Sequence, residues 1–235
     1  MKTLAIDSSA QTCSVALVDN SNLLCEVFSN SGLTHSQTLM RMVSTVIDIT
    51  KTDFSTIDSL SVSIGPGSYT GIRIGIAAAK GLAQPGNLKC FGISTLEAIA
   101  YNLYGFDCIV CAIMNARCEQ VYTAFFKCNK ESVERLTPDN AMSVEELIQT
   151  ITDFNFRETL ILTGDGANML SELSTDDNRD IKLAPLSMRY QRASSVALCA
   201  ASRAEQGFVP AEKLYPIYLR APQAERELKK GRNIK

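Results

Sequence analysis

The sequence predicts an α/β protein in two units, and three observations carry that prediction. First, residues 4–7, 13–18 and 23–28 read as short apolar strands, the last two parted by the turn Asp19-Asn20-Ser21-Asn22. Second, helical and strand periods then alternate: a helix near 36–51, a strand ending at Ile64, a helix near 70–83, a strand at 88–92 and a helix at 94–103. Third, a second unit beginning near Tyr104 repeats the theme, with strands at 108–114, 119–126 and 160–163, a short helix at 144–151, and a Gly-Asp-Gly turn into a helix at 167–173. Three antiparallel strands followed by alternating helices and parallel strands is the ribonuclease-H-like layout. The expected division is 1–103 for the first lobe and 104–235 for a smaller second lobe, which holds a polar loop at 175–180, a final alanine-rich helix at 193–206 and a charged tail from 225.

The chain as a whole narrows the classes of function. Its 235 residues are 46% hydrophobic and 20% charged, with a net charge of −2. Such a chain lacks the overall basic field of a stand-alone nucleic-acid binder. No apolar run is long enough for a membrane span, and Asp7 stands too early for a signal peptide. Eight cysteines, mostly in apolar segments, read as reduced core residues of a cytoplasmic protein rather than as a disulfide framework.

The first lobe is organised around the stretch 61–75, where a strand runs into Gly65-Pro66-Gly67 and then into a helix. Gly65 and Gly67 permit backbone angles that residues with a Cβ avoid, and Ser68 or Thr70 is placed to cap the helix. The turn is neither a dinucleotide fingerprint nor a P-loop: Thr70 stands where the third glycine belongs, and Ile72-Arg73 follows Gly71 where Lys-Ser/Thr is needed. Gly71, Gly75, Ala79 and Ala83 recur every four residues and form one nearly bare stripe. Glycine inside a helix costs about 1 kcal/mol relative to alanine, so the stripe implies close approach of another backbone, within the fold or from a second chain. The preceding helix is apolar on more than one side, with Leu39, Val43 and Val46 on one face, Met40 and Ile47 on another, and Met42 with Ile49 on a third. The surplus suits either a second layer of the same protein or a partner helix.

Few residues offer chemistry. The single histidine, His35, rules out a two-histidine metal site on this chain, and no nucleophile elbow accompanies it. Cys108 and Cys111, three apart on a strand, point to opposite faces and cannot chelate one ion. Asp7 and Ser8 end the first strand, where actin-like and sugar-kinase-like proteins face the phosphates and metal of a nucleotide; Gly164 and Gly166 are the corresponding turn of the second lobe. The alternative is a carboxylate that caps its own turn.

Several stretches together resemble the TsaB (YeaZ) family: residues 4–9 with 13–17, His35-Ser36-Gln37, the whole of 65–75, Gly92-Ile93-Ser94-Thr95-Leu96, Asn115-Ala116-Arg117 with Glu119-Gln120-Val121-Tyr122, and Tyr215-Pro216-Ile217-Tyr218-Leu219-Arg220. Asn115 stands where the family commonly has an aspartate. The resemblance implies a two-lobed actin, Hsp70 and sugar-kinase-like fold. It implies a non-catalytic scaffold in the synthesis of threonylcarbamoyladenosine on tRNA, next to the anticodon. The implied partners are the catalytic subunit TsaD and the ATPase TsaE, with tRNA reached through the complex and a homodimer possible without TsaD. It also implies contact through the first two helices, here Leu39, Met42, Val43, Val46, Gly71, Ile74, Gly75 and Ala79, so that Gly75→Leu is expected to break the heterodimer. No intrinsic cofactor is expected, ATP or ADP entering only weakly or within the complex. The rival readings are a stand-alone kinase- or ATPase-like enzyme using Asp7 and the two glycine turns, and a peptidase.

Overall fold

A computed structural model describes residues 1–154, 156–171, 180–204 and 207–220. The charged tail, the loop at 175–180 apart from Asp180, and the expected ends of the helices at 173 and 206 lie outside the described residues. Strands β1 (Lys2–Asp7), β2 (Cys13–Asp19) and β3 (Asn22–Ser29) form an antiparallel meander, followed by helix α1 (His35–Thr50). Strand β4 (Ser59–Gly65), helix α2 (Tyr69–Ala83) and strand β5 (Lys89–Ser94) complete a sheet of order β3-β2-β1-β4-β5, in which β1, β4 and β5 are parallel. Helix α3 (Thr95–Ala100) leads into the second lobe, with β6 (Cys108–Asn115), β7 (Gln120–Cys128), β8 (Val133–Arg135), β9 (Asn140–Ser143), α4 (Val144–Asp153), β10 (Leu160–Thr163), β11 (Ile181–Leu183) and α5 (Ala193–Ser202).

The second sheet, β11-β10-β6-β7-β8 with β9 also on β7, repeats the first in pattern. An antiparallel hairpin lies on one side of the lead strand and parallel strands on the other. Strands β8, β9 and β11 are too short for a two-residue alternation to register, which is why the sequence pattern does not reveal them. After Gly166 the chain makes one 3-10 turn, Ala167–Leu170, where an α-helix was expected.

Alternation along the strands decides what each face carries. Leu4, Ile6, Val15, Leu17, Leu60 and Val62 point to the side covered by α1 and α2. Ala5 and Ala16 point to the other side, where α5 approaches with its own small residues, Ala193, Ala197 and Ala200. In the second lobe Val110, Ala112, Met114, Ala124 and Phe126 meet α3, while Ile109, Cys111, Ile113 and Phe125 meet α4. Thus α3 and α5 fill the space between the sheets. Glu97 of α3 accepts from Arg135 of β8 at 3.0 Å and from Arg203 after α5, so one carboxylate ties three elements. All eight cysteines are free, and six of them are buried.

Candidate functional site: the inter-lobe cleft and the helix face

The junction of the lobes is where Asp7 and Ser8 face the Gly164-Asp165-Gly166 turn, close enough for the Asp7 charge to act on Asp165. Asp7 is 1% exposed. Its carboxylate accepts from the Ser9 amide at 3.0 Å, from the Ser9 hydroxyl at 2.8 Å and from the Ser63 hydroxyl. Burial nonetheless outweighs these donors and raises its pKa above the ordinary carboxylate value. Ser8 is equally buried and donates to the Gly71 carbonyl at 2.9 Å. Both side chains thus tie β1 to neighbouring segments, Asp7 to β4 and Ser8 to α2.

Across the cleft, the backbone of Gly164 and Gly166 packs on β6. A Cβ on Gly164 would strike the Ile113 carbonyl, and one on Gly166 would lie 2.9 Å from the Asn115 amide. Asp165 between them accepts from Gln191 at 2.8 Å, and Gln191 in turn accepts from Thr12 of the first lobe at 3.3 Å. Burial first, and then the nearby Asp7 charge, raises the pKa of Asp165.

Two further segments border this junction. The turn at Gly65 and Gly67 has φ of 124° and 155°, open to glycine, and a Cβ on Gly67 would strike the Ser9 carbonyl. The Ser68 amide donates to that same carbonyl at 2.6 Å, while the Ser68 hydroxyl accepts from the Gly71 amide at 3.2 Å and caps α2. The second segment is a strap, residues 207–220, returning from α5. Val209 bridges to Cys90 on β5, Leu214 enters the core, the Ile217 amide donates to the Ile64 carbonyl at 2.7 Å, and Arg220 donates to the Ala116 carbonyl at 3.3 Å. A Cβ on Gly65 would collide with the Ile217 carbonyl. The strap is the feature that sequence reasoning missed; its only signal was the apolar run in Tyr215-Pro216-Ile217-Tyr218-Leu219 just before the charged tail.

The helix face differs from expectation in its residues. Leu39, Met42, Val43 and Val46 are buried beneath α1 in the first lobe's core. Gly71, Gly75 and Ala79 are buried too, and the neighbour they admit is their own chain: a Cβ on Gly71 would strike the Ser8 carbonyl, and one on Gly75 would lie 2.5 Å from the Ser8 hydroxyl. Of the eight residues expected to meet a partner, only Ile74 is partly exposed. Gly75→Leu would therefore disrupt the lobe and says nothing about a heterodimer. What α1 and α2 present outward is Met40 and Ser44 with half-buried Ile47, beside Ala77 with half-buried Ile74 and Ala78. His35 sits at the start of α1, where its Nε2–H donates to the Ala10 carbonyl at 2.7 Å and its ring edge lies against Gly71. It is a strut between loop and helices.

Comparison with known proteins places this arrangement. The family model described as TsaD, tRNA N6-adenosine threonylcarbamoyltransferase, matches residues 29–228. A Bacillus subtilis protein named tRNA threonylcarbamoyladenosine biosynthesis protein TsaB is 28% identical, over 96% of this chain and 96% of that protein. The Escherichia coli protein of the same name is 34% identical over 57% of this chain and 58% of its own length, and that of Buchnera aphidicola subsp. Schizaphis graminum 31% identical over 69% and 78%. Among solved structures, YeaZ from Pseudomonas aeruginosa superposes with a TM-score of 0.79 at 24% identity, covering 93% of this chain and 99% of that one. An activator of 2-hydroxyisocaproyl-CoA dehydratase from Clostridium difficile, solved with bound ADPNP, shares the fold at a TM-score of 0.51 and 10% identity, covering 88% of this chain and 96% of that one. The two-sheet fold is of the actin, Hsp70 and sugar-kinase type, and the chain belongs to the TsaB (YeaZ) family, within the wider family of that threonylcarbamoyltransferase model.

Proposed function

We propose that this chain is the non-catalytic partner of a TsaD-type subunit in the formation of threonylcarbamoyladenosine on tRNA. The observation that carries the reading beyond family membership is what Asp7 and Ser8 do here: both are buried and bonded to the chain's own Ser9, Ser63 and Gly71, and Gly65 and Gly67 are pressed against the strap and the Ser9 carbonyl. The one histidine holds a backbone carbonyl, so the metal-binding histidine pair of the transferase has to come from another chain. The first lobe, taken as residues 1–103, supplies the docking face through the outward strips of α1 and α2, and the remainder supports it. In this reading TsaE joins the assembly, tRNA is modified by TsaD, ATP or ADP is bound only weakly or within the complex, and the same strips pair two copies when TsaD is absent. The work is done in the cytoplasm.

The test is light scattering after size exclusion with the chain alone and mixed with TsaD, followed by a tRNA-modification assay with and without the chain. A one-to-one complex, with modification lost when the chain is omitted, is expected. ATP turnover by the chain alone with no complex would replace the scaffold by an enzyme.

A further inference from the structure

The strap and the exposed side of α2 build a face of tyrosines and cations. Tyr69 and Tyr218 stack with ring centroids 4.8 Å apart, and each is 39% exposed. The Arg73 guanidinium lies 4.9 Å over the Tyr69 ring and donates to its hydroxyl at 2.6 Å. Further along, Tyr215 is 66% exposed with the Lys80 ammonium 5.0 Å over its ring. Arg220 binds the Ala116 carbonyl, which brings it beside exposed Arg117 on the β6–β7 hairpin. Glu119 and Glu212 are the nearby acids on these same segments, and Lys80 is held by the backbone carbonyl of Glu212, not by its carboxylate. A chain of net charge −2 thus carries a cationic stripe with the exposed rings of Tyr215 and Tyr218, and with Tyr69 between Tyr218 and Arg73.

Cations spaced along exposed aromatic faces fit one class of ligand: an extended polyanion whose flat bases stack on the rings while its phosphates meet the guanidinium and ammonium groups. A duplex hides its base faces and cannot use the tyrosines. We propose that this face, built from Tyr69, Arg73, Tyr215, Tyr218, Arg220 and Arg117, binds single-stranded RNA directly. Four of the six come from the strap or the hairpin's own rim rather than from the helices, so the stripe borders the docking strips of α1 and α2 and leaves them free. The proposal takes from the functional reading only that the nucleic acid is RNA; it does not require the partner.

The experiment is fluorescence anisotropy with the full chain and a fluorescein-labelled oligoribonucleotide of roughly 12 nucleotides, a length within the usual span of single-strand sites. The same sequence as a duplex serves as control. Binding of the single strand in preference to the duplex is expected. Tyr218→Ala and Tyr215→Ala should each weaken it by roughly 5- to 150-fold, whereas Tyr218→Phe retains it. Arg220→Ala should flatten the dependence of log affinity on log salt by about 0.7. Tyr215 contacts only Lys80 among the ring interactions described and is largely exposed, so its variant reads binding even where loss of the Tyr218 ring loosens the strap. Absence of single-strand binding at low salt, equal binding of the duplex, or alanine variants that bind like the parent would overturn the proposal. So would a Tyr215→Ala or Tyr218→Ala chain that loses its TsaD complex while its RNA affinity is unchanged, because the face would then belong to a protein. A failed RNA arm with an intact TsaD complex leaves the subunit reading standing, which keeps the two failures apart.

Discussion

Gly75 and Gly81 occupy the same helix and face opposite fates. A Cβ on Gly75 would lie 2.5 Å from the Ser8 hydroxyl, which itself holds the Gly71 carbonyl, so nothing there yields cheaply. A Cβ on Gly81 meets nothing within 4 Å. Gly75→Ala is therefore expected to destabilise the chain by about 1–3 kcal/mol through overpacking. Gly81→Ala should stabilise it by up to about 1 kcal/mol through helix propensity. Urea midpoints for the two variants check both signs. The four-residue spacing of the stripe made the close approach legible in the sequence. The identity of the neighbour was not, because Ser8 is more than sixty positions away and nothing local marks it. The same holds for Asp7: a strand-end aspartate followed by serines announces a polar site, and only the fold shows that Ser9 and Ser63 consume it.

At the scale of the element, α1 explains how an apolar surplus misleads. Its burial places Leu39, Met42, Val43 and Val46 against β2 and β3, and leaves Met40 at 48% and Ile49 at 64% exposure. The sequence showed that α1 had more apolar residues than one sheet needs; it did not show which of them the sheet takes, because the stripes lie only a fraction of a turn apart. The two faces are separable by experiment. Met40→Glu should change stability by less than about 0.5 kcal/mol while cutting affinity for TsaD at least about tenfold. Val43→Glu should cost about 4 kcal/mol or more, as a charge introduced into the core. Titration calorimetry against TsaD and chemical denaturation supply the two readouts, and full affinity in Met40→Glu would move the contact away from α1. Helix α4, by contrast, starts at Val144 as its sequence pattern places it, and the structure adds a capping box of Ser143 and Glu146.

Across the whole molecule, the carboxyls of Asp7 and Asp165 approach one another from different lobes, and burial raises the pKa of both. An aspartate in the unfolded chain titrates near pH ~3.9. A raised folded-state value means that the stability tied to the neutral carboxyls is fully present below that pH, and is lost as pH rises through the folded values. Asp165→Asn retains an acceptor for Gln191 and cannot ionise. Its urea midpoint should therefore fall less than the parent's as pH rises above about 4; parallel curves would mean that Asp165 carries no such penalty. The duplicated sheet was readable from strand and helix periods, but the space between the lobes was not, since it is made of contacts such as Glu97–Arg203 and Gln191–Asp165 that join distant segments.

The return of α5 and the strap to the first sheet sets an order of events during synthesis. Ala5 and Ala16 lack the cover of α5 until residues 193–202 exist, and the edge of β5 and the turn at Gly65 wait for Val209 and Ile217. On a ribosome that releases the chain from its amino end, the sheet begun first is completed last. Its apolar underside stays open to solvent and chaperones for most of translation, and a message truncated before residue 193 yields a lobe that cannot close.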